Sequence, residues 1–521
     1  MSEASNADEV TEIRAGYTFD EAAIDLGVLM EADQPVPDAR VRIPLSMLNR
    51  HGLVAGATGT GKTKTLQVLA EQISAAGVPV FAADVKGDLS GIASPGEASD
   101  KLAKRTAKIG QDWHPQGAPT RFLALGGQGI GLPVRVTMSA FGPVLLSKVL
   151  ELNETQESTL GLVFHYADKA GLPLLDLSDL RAVLQFLTSD EGKAELSAIG
   201  GISASTVGVI LRSLINFSDQ GADAFFGEPE FDTADLLALD PSGRGIVTLL
   251  ELPNLQDRPQ VFSTFLMWLL ADLFHDLPEV GDADKPKLVF FFDEAHLLFT
   301  GASKAFLNSI TQTVRLIRSK GVGIFFVTQT PKDVPDDVLA QLGSRVQHQL
   351  RAHTPNDAKA LKQTVATFPK SHYDLESVLT ELGIGEAIVT VMDPDGAPTP
   401  VAWTRMLAPQ SLMAPTPADQ MQASVQNSPL AAKYLQPIDR ESAREMLAKR
   451  LDAGSRAAQA EAPATAPQAP APQQRREPAP RARQEKGMVE QIVNSPIVRD
   501  LARTAGREIF RGLFGTARRR R

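Results

Sequence analysis

The 521-residue chain contains no cysteine. This absence excludes disulfide bonds, thiolate zinc sites, cysteine-ligated iron–sulfur clusters and a cysteine nucleophile. The eight histidines are scattered and form no His-Glu-x-x-His pattern, so a zinc site of that kind is excluded as well.

Long apolar runs and an excess of positive charge are also missing. No stretch reaches the eighteen or so apolar residues of a membrane-spanning helix, and the N-terminus lacks the basic and apolar regions of an export signal. We therefore expect a cytoplasmic protein without an integral membrane segment. The net charge of −10 argues against a surface coated in positive charge for indiscriminate nucleic-acid binding, but not against a basic channel.

The segment 56–63 has the pattern of a Walker A phosphate-binding loop. Its glycines let backbone N–H groups turn inward around phosphate oxygens, Lys62 can reach the β- and γ-phosphates, and the Thr63 hydroxyl can ligate Mg²⁺. A short apolar strand, 52–55, precedes the loop, and a helix with apolar residues at helical spacing follows it. We predict bound ATP, with Mg²⁺ as the only metal ion. The predicted nucleotide-binding residues of this segment are Gly56, Ala57, Thr58, Gly59, Thr60, Gly61, Lys62, Thr63 and Lys64.

An acidic pair follows a run of five apolar residues, 288–292, that is typical of a fully buried parallel strand. Asp293 and Glu294 come directly after this strand, as in a Walker B motif. We predict that Asp293 holds Mg²⁺ through water and that Glu294 polarises the water that attacks the γ-phosphate.

Gln329 lies at the tip of another buried strand, 323–327. A polar side chain there could sense the γ-phosphate and position water, and a capping role in the following turn is the alternative. A helix predicted over residues 305–320 carries Arg315 and Arg318, which share one helix face. Many ATPases use a guanidinium from a neighbouring subunit to stabilise transition-state charge, although solvated surface arginines are the other interpretation.

Alternating strands and helices predict an α/β fold with a doubly wound, mainly parallel sheet. The Ala-, Pro- and Gln-rich region near the C-terminus cannot bury enough apolar surface to order itself, so we expect a disordered linker there. The predicted organisation is a short acidic leader at 1–38, a P-loop core at 39–405 with a mainly helical insertion at about 140–220, a linker with a short helix at 406–487, and a basic amphipathic helix at 488–521.

The end of the chain is strongly basic. Residues 481–521 hold eleven Arg and Lys against four Asp and Glu. Ser495 and Pro496 are typical of a helix start, and arginines recur at i, i+4 after them. Such a helix could bind nucleic acid, a protein groove or an anionic membrane surface, and the sequence leaves all three open.

Together these motifs resemble the HerA-like branch of the HerA/FtsK class of P-loop ATPases. The resemblance covers about residues 40–405 and rests on both Walker motifs, on the Arg-x-x-Arg and Gly-x-Gly spacing before Gln329, and on the segments 349–351 and 356–357. It implies a RecA-like P-loop NTPase core and a homo-oligomer, a hexameric ring with ATP between subunits and duplex DNA in the pore. It further implies that Arg315 or Arg318 acts across the interface and that Arg351 lies near the nucleotide.

The sequence departs from the HerA pattern at its N-terminus. HerA proteins carry an N-terminal β-barrel, whereas only about 40 residues precede this core, so we expect no complete barrel. Members of the HerA type often work with a partner nuclease, which this sequence does not identify. The letters Asp-Glu-Ala-His also occur in a class of RNA helicases, but the 231 residues between Lys62 and Asp293 argue against that assignment.

The sequence thus favours an Mg²⁺-dependent ATPase that moves DNA. Two alternatives stay open, namely a ring ATPase that moves or remodels protein, and a nucleotide-gated assembly factor whose turnover is incidental. The predicted catalytic residues are Lys62, Glu294, Gln329, Arg315 and Arg318.

Overall fold

The computed structural model describes residues 3–461, apart from 199, 253–258, 282, 301–303, 437 and 439. The described residues form two compact units: one comprises residues up to 136 and 219–438, and the other comprises 137–218 and 440–461. The predicted basic helix at 488–521 and the predicted linker beyond residue 461 lie outside the described residues.

The first unit contains a sheet of twelve strands within the described residues. The strands are β1 (Ala23–Glu31), β2 (Gln34–Pro44), β3 (Gly52–Ala55), β4 (Val80–Asp84), β5 (Thr120–Leu125), β6 (Leu132–Val134), β7 (Val247–Glu251), β8 (Leu288–Phe292), β9 (Val322–Thr328), β10 (Ser344–Gln347), β11 (Glu386–Thr390) and β12 (Ala402–Met406). Their order across the sheet is β2-β1-β12-β11-β10-β3-β9-β8-β4-β7-β5-β6. All neighbours from β10 to β6 are parallel, and the remaining four strands extend the sheet in antiparallel fashion.

Helices account for most of the remaining regular structure. The α-helices are α1 (Glu3–Gly16), α2 (Lys62–Ala75), α3 (Asp100–Lys108), α4 (Met138–Val149), α5 (Glu154–Lys169), α6 (Leu177–Thr188), α7 (Lys193–Ala198), α8 (Ala204–Asp219), α9 (Pro259–Asp276), α10 (His296–Phe299), α11 (Lys304–Ile317), α12 (Asp336–Leu339), α13 (Pro355–Val365), α14 (Leu375–Glu381), α15 (Ala418–Gln426), α16 (Ala431–Tyr434) and α17 (Ala443–Glu461). Among the helices described, none has the length and apolar character that crossing a membrane requires.

The parallel core agrees with the prediction of an α/β fold with a mainly parallel sheet. Every residue of β8 is buried, as expected for a strand that is covered on both faces. The ring of Phe291 in β8 lies 5.4 Å, centroid to centroid, from that of Phe325 in β9. The bounds of β3 and β8 are those predicted, and β9 is one residue longer at each end. Continuous apolar runs of this kind are the clearest strand signal that the sequence contains.

The N-terminal segment differs from the predicted leader at 1–38. These residues form α1 and most of a hairpin of β1 and β2, and β1 pairs with β12 in the main sheet. The two-residue hairpin turn consists of Ala32 and Asp33, which both have positive φ angles, of 47° and 62°. Tight turns of this type favour Gly and Asn, so the residues at this turn did not indicate a hairpin.

Tyr17 fixes α1 to the antiparallel edge of the sheet. Its side chain is buried, and its hydroxyl lies 3.1 Å from the carbonyl oxygen of Val389 and 2.9 Å from that of Pro400. The hydroxyl therefore donates its single proton to this pair of carbonyl oxygens.

The segment after β12 is also more ordered than the predicted linker at 406–487. Within its first thirty or so residues, Met421, Val425 and Tyr434 are buried, and α15 and α16 form. Along α2, the Glu71 carboxylate accepts hydrogen bonds from the backbone N–H groups of Gln410 and Ser411, both at 2.9 Å. Side chains of a distant helix order this stretch, which its own composition does not reveal.

The second unit is helical in its described residues. It contains α4 to α7, most of α8, and α17, and its first segment occupies the range of the predicted insertion at about 140–220. The carboxylate of buried Asp179 accepts a hydrogen bond from the backbone N–H of Arg444 at 2.9 Å, and the Pro173 carbonyl oxygen accepts one from Ala443 at 2.9 Å. These contacts fix the start of α17, which extends to Glu461 and is the short helix predicted within 406–487.

His51 is buried immediately before β3 and joins three elements of the first unit. Its Nδ1 accepts a hydrogen bond of 3.0 Å from the backbone N–H of Ile324 in β9. Its Nε2 lies 2.7 Å from the carbonyl oxygen of Val314 in α11 and, as the protonated nitrogen, donates to it. Burial lowers the pKa of His51 to about 4, so the ring is neutral at pH 7.

Replacing Tyr17 with Phe should lower the free energy of unfolding by about 1 kcal/mol, because the one hydroxyl proton that the carbonyl oxygens of Val389 and Pro400 share is lost. Denaturant titration of the full chain measures this difference. Glu12→Gln, an exposed change on the same helix, should stay within about 0.5 kcal/mol of the native protein. An unchanged value for Tyr17→Phe would show that the hydrogen bonds of this hydroxyl do not stabilise the fold.

Stability should fall as the pH drops below the ordinary histidine pKa of 6.5 towards 4, because the unfolded chain binds a proton at His51 that the folded chain resists. Between pH 7 and pH 5 this residue should account for about 2 kcal/mol of lost unfolding free energy. His51→Gln should reduce that loss by a similar amount, whereas His353→Gln, at an exposed position, should not. Identical pH profiles for the native protein and His51→Gln would contradict this assignment.

Candidate nucleotide-binding site

Five neighbouring parallel strands, β3, β9, β8, β4 and β7, end at one edge of the sheet. Ligands of open α/β sheets bind outside this carboxyl edge. Most of the predicted site residues lie at these strand ends, although they are far apart in sequence: the loop 56–63, Gln329, and the pair Asp293 and Glu294. The turn 84–88 and Glu251, which were not predicted as site residues, lie at the same edge.

The loop between β3 and α2 has the backbone that phosphate binding requires. Gly56, Gly59 and Gly61 have φ angles of 153°, 84° and 115°, a region that side-chain-bearing residues rarely adopt. A Cβ atom at Gly56 would also lie 2.5 Å from the Cβ of His348. Lys62 Nζ donates to the Gly56 carbonyl oxygen at 2.6 Å, so the ammonium folds back over the loop.

The segment that follows β10, the neighbour of β3 in the sheet, supports this loop. The backbone N–H of Ala57 donates to the carbonyl oxygen of Gln349 at 2.8 Å. Buried His348 lies with Nε2 3.0 Å from the Thr65 hydroxyl oxygen and Nδ1 2.8 Å from the carbonyl oxygen of Glu386. Burial lowers the pKa of His348 to about 4, so it joins α2 to β11 as a neutral ring.

Three carboxylates come together beside the loop. Asp84, Asp88 and Asp293 each offer an oxygen within 4.8 Å of the other two. The Thr63 hydroxyl lies 3.3 Å from Asp88 Oδ2, and the buried Asp88 Oδ1 has no hydrogen-bond partner. Burial, and then the charge of Glu294, raise the pKa of Asp293 to about 7. Hard oxygen ligands with an unsatisfied atom fit Mg²⁺, whose charge would also relieve this repulsion.

Asp84 and Asp88 are absent from the predicted metal ligands. Asp84 Oδ1 and Oδ2 accept backbone hydrogen bonds from Gly87 at 2.7 Å and from Leu89 at 2.8 Å, which fixes the turn. Glu251, in register with Asp84 on the next strand, is buried, and burial followed by the Asp84 charge raises its pKa to about 8. Acidic residues at strand ends were the available signal, but the order of the strands was needed to bring them together.

Glu294 is held between two side chains. One oxygen of its carboxylate forms an ion pair with Lys86, and the other oxygen lies 3.1 Å from His296 Nδ1. The side chain of Glu294 is 6% exposed and that of Lys86 is 43% exposed. Glu294 also has a φ of 48°, and such backbone strain is frequent at functional sites. Lys86 was not predicted as a site residue.

Gln329 is exposed at the end of β9, between the strands of the two Walker motifs. The turn after it is held by its neighbours. Asp333 Oδ2 accepts hydrogen bonds from the Thr328 hydroxyl at 2.7 Å and from the backbone N–H of Thr330 at 3.1 Å. Thr328 and Asp333 therefore fill the capping role that was the alternative for Gln329. The side chain of Gln329 faces solvent.

Arg351 and Lys64, two further predicted nucleotide-binding residues, differ in what their side chains contact. Arg351 is exposed, and its Nη2 donates to the Thr58 carbonyl oxygen at 3.3 Å, which places it beside the P-loop of its own chain. The Lys64 ammonium instead donates to Gln67 Oε1 at 2.8 Å and to the carbonyl oxygen of Met413 at 2.7 Å. The Lys64 ammonium is thus engaged within its own chain. Only the backbone N–H of Lys64, in the first turn of α2, remains as a donor for a phosphate.

Arg315 and Arg318 lie away from this group. Helix α11 ends at Ile317 and a short turn leads into the start of β9, so both arginines are at the amino edge of the parallel strands. The bond from His51 to Val314 places the same end of α11 next to the start of β3. Both side chains are exposed, and the length of β3 alone separates them from the P-loop by roughly 13 Å. The structure does not bring them together with their own chain's Walker motifs.

Comparisons with known proteins agree with this architecture. The helicase HerA-like C-terminal family matches residues 30–521. A DNA double-strand break repair helicase HerA of Saccharolobus solfataricus is 21% identical over 385 residues, which are 73% of this chain and 68% of the relative. The protein of that name from Sulfurisphaera tokodaii is 22% identical over 382 residues, 71% and 67% of the two chains.

A solved structure shares the fold. The bacterial conjugative coupling protein TrwBdeltaN70, in its unbound monoclinic form, superposes with a TM-score of 0.51 and 16% identity, covering 78% of this chain and 93% of that one. This likeness establishes a RecA-like P-loop fold. Because the family match extends over most of its length, this chain belongs to the helicase HerA-like family and is a P-loop ATPase of the HerA/FtsK class.

Proposed function

We propose that this protein hydrolyses ATP with Mg²⁺ as a hexameric ring in the cytoplasm and uses the energy to move double-stranded DNA. The observation that carries the proposal is the exposed position of Arg315 and Arg318, at the sheet edge opposite their own P-loop. A ring of like-oriented subunits would bring them to a neighbour's nucleotide. The two HerA relatives are named as DNA repair helicases, which supports duplex DNA as the substrate.

The P-loop would bind the triphosphate. Loop N–H groups and the first turn of α2 offer donors and a positive helix end to the phosphates. Lys62 would exchange the carbonyl oxygen of Gly56 for phosphate oxygens, since an anionic acceptor forms a stronger, charge-assisted hydrogen bond. Arg351, already bonded to Thr58, would border the bound nucleotide.

Thr63 and Asp293, with Asp84 and Asp88, would hold Mg²⁺, which when bound neutralises phosphate charge. The fit rests on the unpartnered oxygen of Asp88 and on the raised pKa of Asp293. A cation at this position would stabilise all these groups as carboxylates.

The remaining residues would act on the attacking water and the departing phosphate. Glu294 would accept the proton of the water, and Gln329 would orient that water from the neighbouring strand. Arg315 or Arg318 of an adjacent subunit would stabilise the charge that develops on the phosphoryl oxygens. The site would thus be complete only at an interface between two copies.

Duplex DNA should stimulate ATP hydrolysis at low salt, because a translocating motor couples turnover to its track. Steady-state phosphate release measures the rate with and without DNA. Glu294→Gln should lower kcat on the order of 100-fold under both conditions, because the general base is lost. Glu376→Gln, at an exposed position on α14, should leave both rates unchanged.

The two alternatives make a different prediction. No stimulation by any nucleic acid would refute DNA translocation and favour a ring ATPase that acts on protein or an assembly factor with incidental turnover. A native rate in Glu294→Gln would refute the catalytic assignment itself.

Arg315→Ala and Arg318→Ala identify the arginine that acts between subunits. By itself, the variant that lacks this arginine should not hydrolyse ATP. When it is mixed with Lys62→Ala, part of the activity should return, because an intact P-loop then meets an intact arginine at about a quarter of the interfaces. The ATPase rate of mixed oligomers measures this rescue. Arg351→Ala is the matched control, since Arg351 contacts the P-loop of its own chain and should not be rescued by Lys62→Ala. Absence of rescue for both Arg315 and Arg318 would contradict the intersubunit role.

A further inference from the structure

Lys86 occupies a rigid turn that follows β4. Asp84 accepts backbone hydrogen bonds from Gly87 at 2.7 Å and from Leu89 at 2.8 Å, so the peptide bonds around Lys86 are fixed. The Lys86 side chain itself is 43% exposed. Its ammonium can therefore move on a flexible stem while its backbone stays in place.

The contact that Lys86 makes restrains Glu294. One carboxylate oxygen is paired with the Lys86 ammonium and the other lies beside His296. While both contacts persist, the Glu294 carboxylate is held in place and is not free to turn towards a water molecule.

Lys86 also lies within electrostatic reach of the P-loop lysine. The pKa of Lys62 lies below its ordinary value, mainly because the ammonium is buried. The charge of Glu294 opposes this shift, and the charge of Lys86 adds to it. Two ammonium groups and the carboxylate of Glu294 thus share one small region. A γ-phosphate bound by Lys62 would enter this region as a second, more highly charged anion, and phosphate oxygens accept stronger hydrogen bonds from lysine than neutral acceptors do.

We propose that Lys86 is a positioning residue with two partners: it holds Glu294 when the site lacks a triphosphate, and it turns to the γ-phosphate when ATP binds, which releases Glu294 to act on water. This inference rests on the proposed ATP hydrolysis. It makes Lys86 the group by which the site distinguishes ATP from ADP, because ADP lacks the phosphate that competes for the ammonium.

The competing explanation is that Lys86 only compensates the charge of buried Glu294. A residue with that role would stabilise the site equally for both nucleotides. The comparison of ATP and ADP affinity therefore separates the two explanations.

The experiment measures equilibrium binding of a non-hydrolysable ATP analogue and of ADP, each with Mg²⁺, to the full chain. Lys86→Met should weaken binding of the analogue about tenfold or more and that of ADP less than about threefold, because only the analogue loses a charge-assisted contact. Lys86→Arg, which keeps the charge, should bind both within about threefold of the native protein. Equal weakening of both nucleotides, or no weakening of either, would overturn the proposal.

A second pair of variants tests the competition directly. Glu294→Gln frees Lys86 and should tighten binding of the analogue by about threefold or more, and the doubly substituted Lys86→Met/Glu294→Gln protein should lose this gain relative to Lys86→Met alone. If the gain persists without Lys86, simple repulsion between Glu294 and the phosphate explains it and the proposal fails. Failure of the proposed function looks different, because the native protein would then not bind the analogue, or Lys62→Ala would bind it as well as the native protein does.

Discussion

The parallel register of the central strands is the constraint on which the site depends. Ala55 of β3 is directly opposite Thr328 of β9, and Ala83 of β4 is directly opposite Phe292 of β8. The P-loop, Gln329, the Walker B pair and the turn after Asp84 therefore start at one level, although they come from distant parts of the chain. A slip of one residue in any pairing would turn these side chains to the other face of the sheet.

Several parts of this arrangement could be predicted from the sequence, and their common feature is that the signal is local. The strands β3 and β8 have continuous apolar runs, and each leads into a short motif whose chemistry limits its residue types. The parts that were missed depend on distant partners. Asp88 and Lys86 gain their roles only because β4 lies beside β8, and the residues after β12 are ordered by Glu71 on α2. The N-terminal hairpin was missed because its turn uses Ala32 and Asp33 instead of glycine.

The charge of the site supports its assignment independently of the motifs. Asp84, Asp293, Glu251 and Glu294 are buried within a few strands of one another. Such a group opposes the binding of a polyanion unless a cation lies between the carboxylates and the phosphates. Burial is the main cause that raises the pKa of Asp84 to about 6 and that of Asp293 to about 7, and neighbouring carboxylates add to both shifts. In the proposed function, a divalent metal ion bound with the nucleotide would relieve this repulsion.

The fold also separates the predicted catalytic groups of one chain between two edges of the sheet. The Walker motifs lie at the carboxyl edge, whereas Arg315 and Arg318 lie at the amino edge, at the end of α11. His51 fixes that end through the carbonyl oxygen of Val314, and its other nitrogen accepts a hydrogen bond from β9, the strand that leads to Gln329. In the proposed ring, β9 and α11 therefore join the nucleotide of one subunit to the arginines that act on the next.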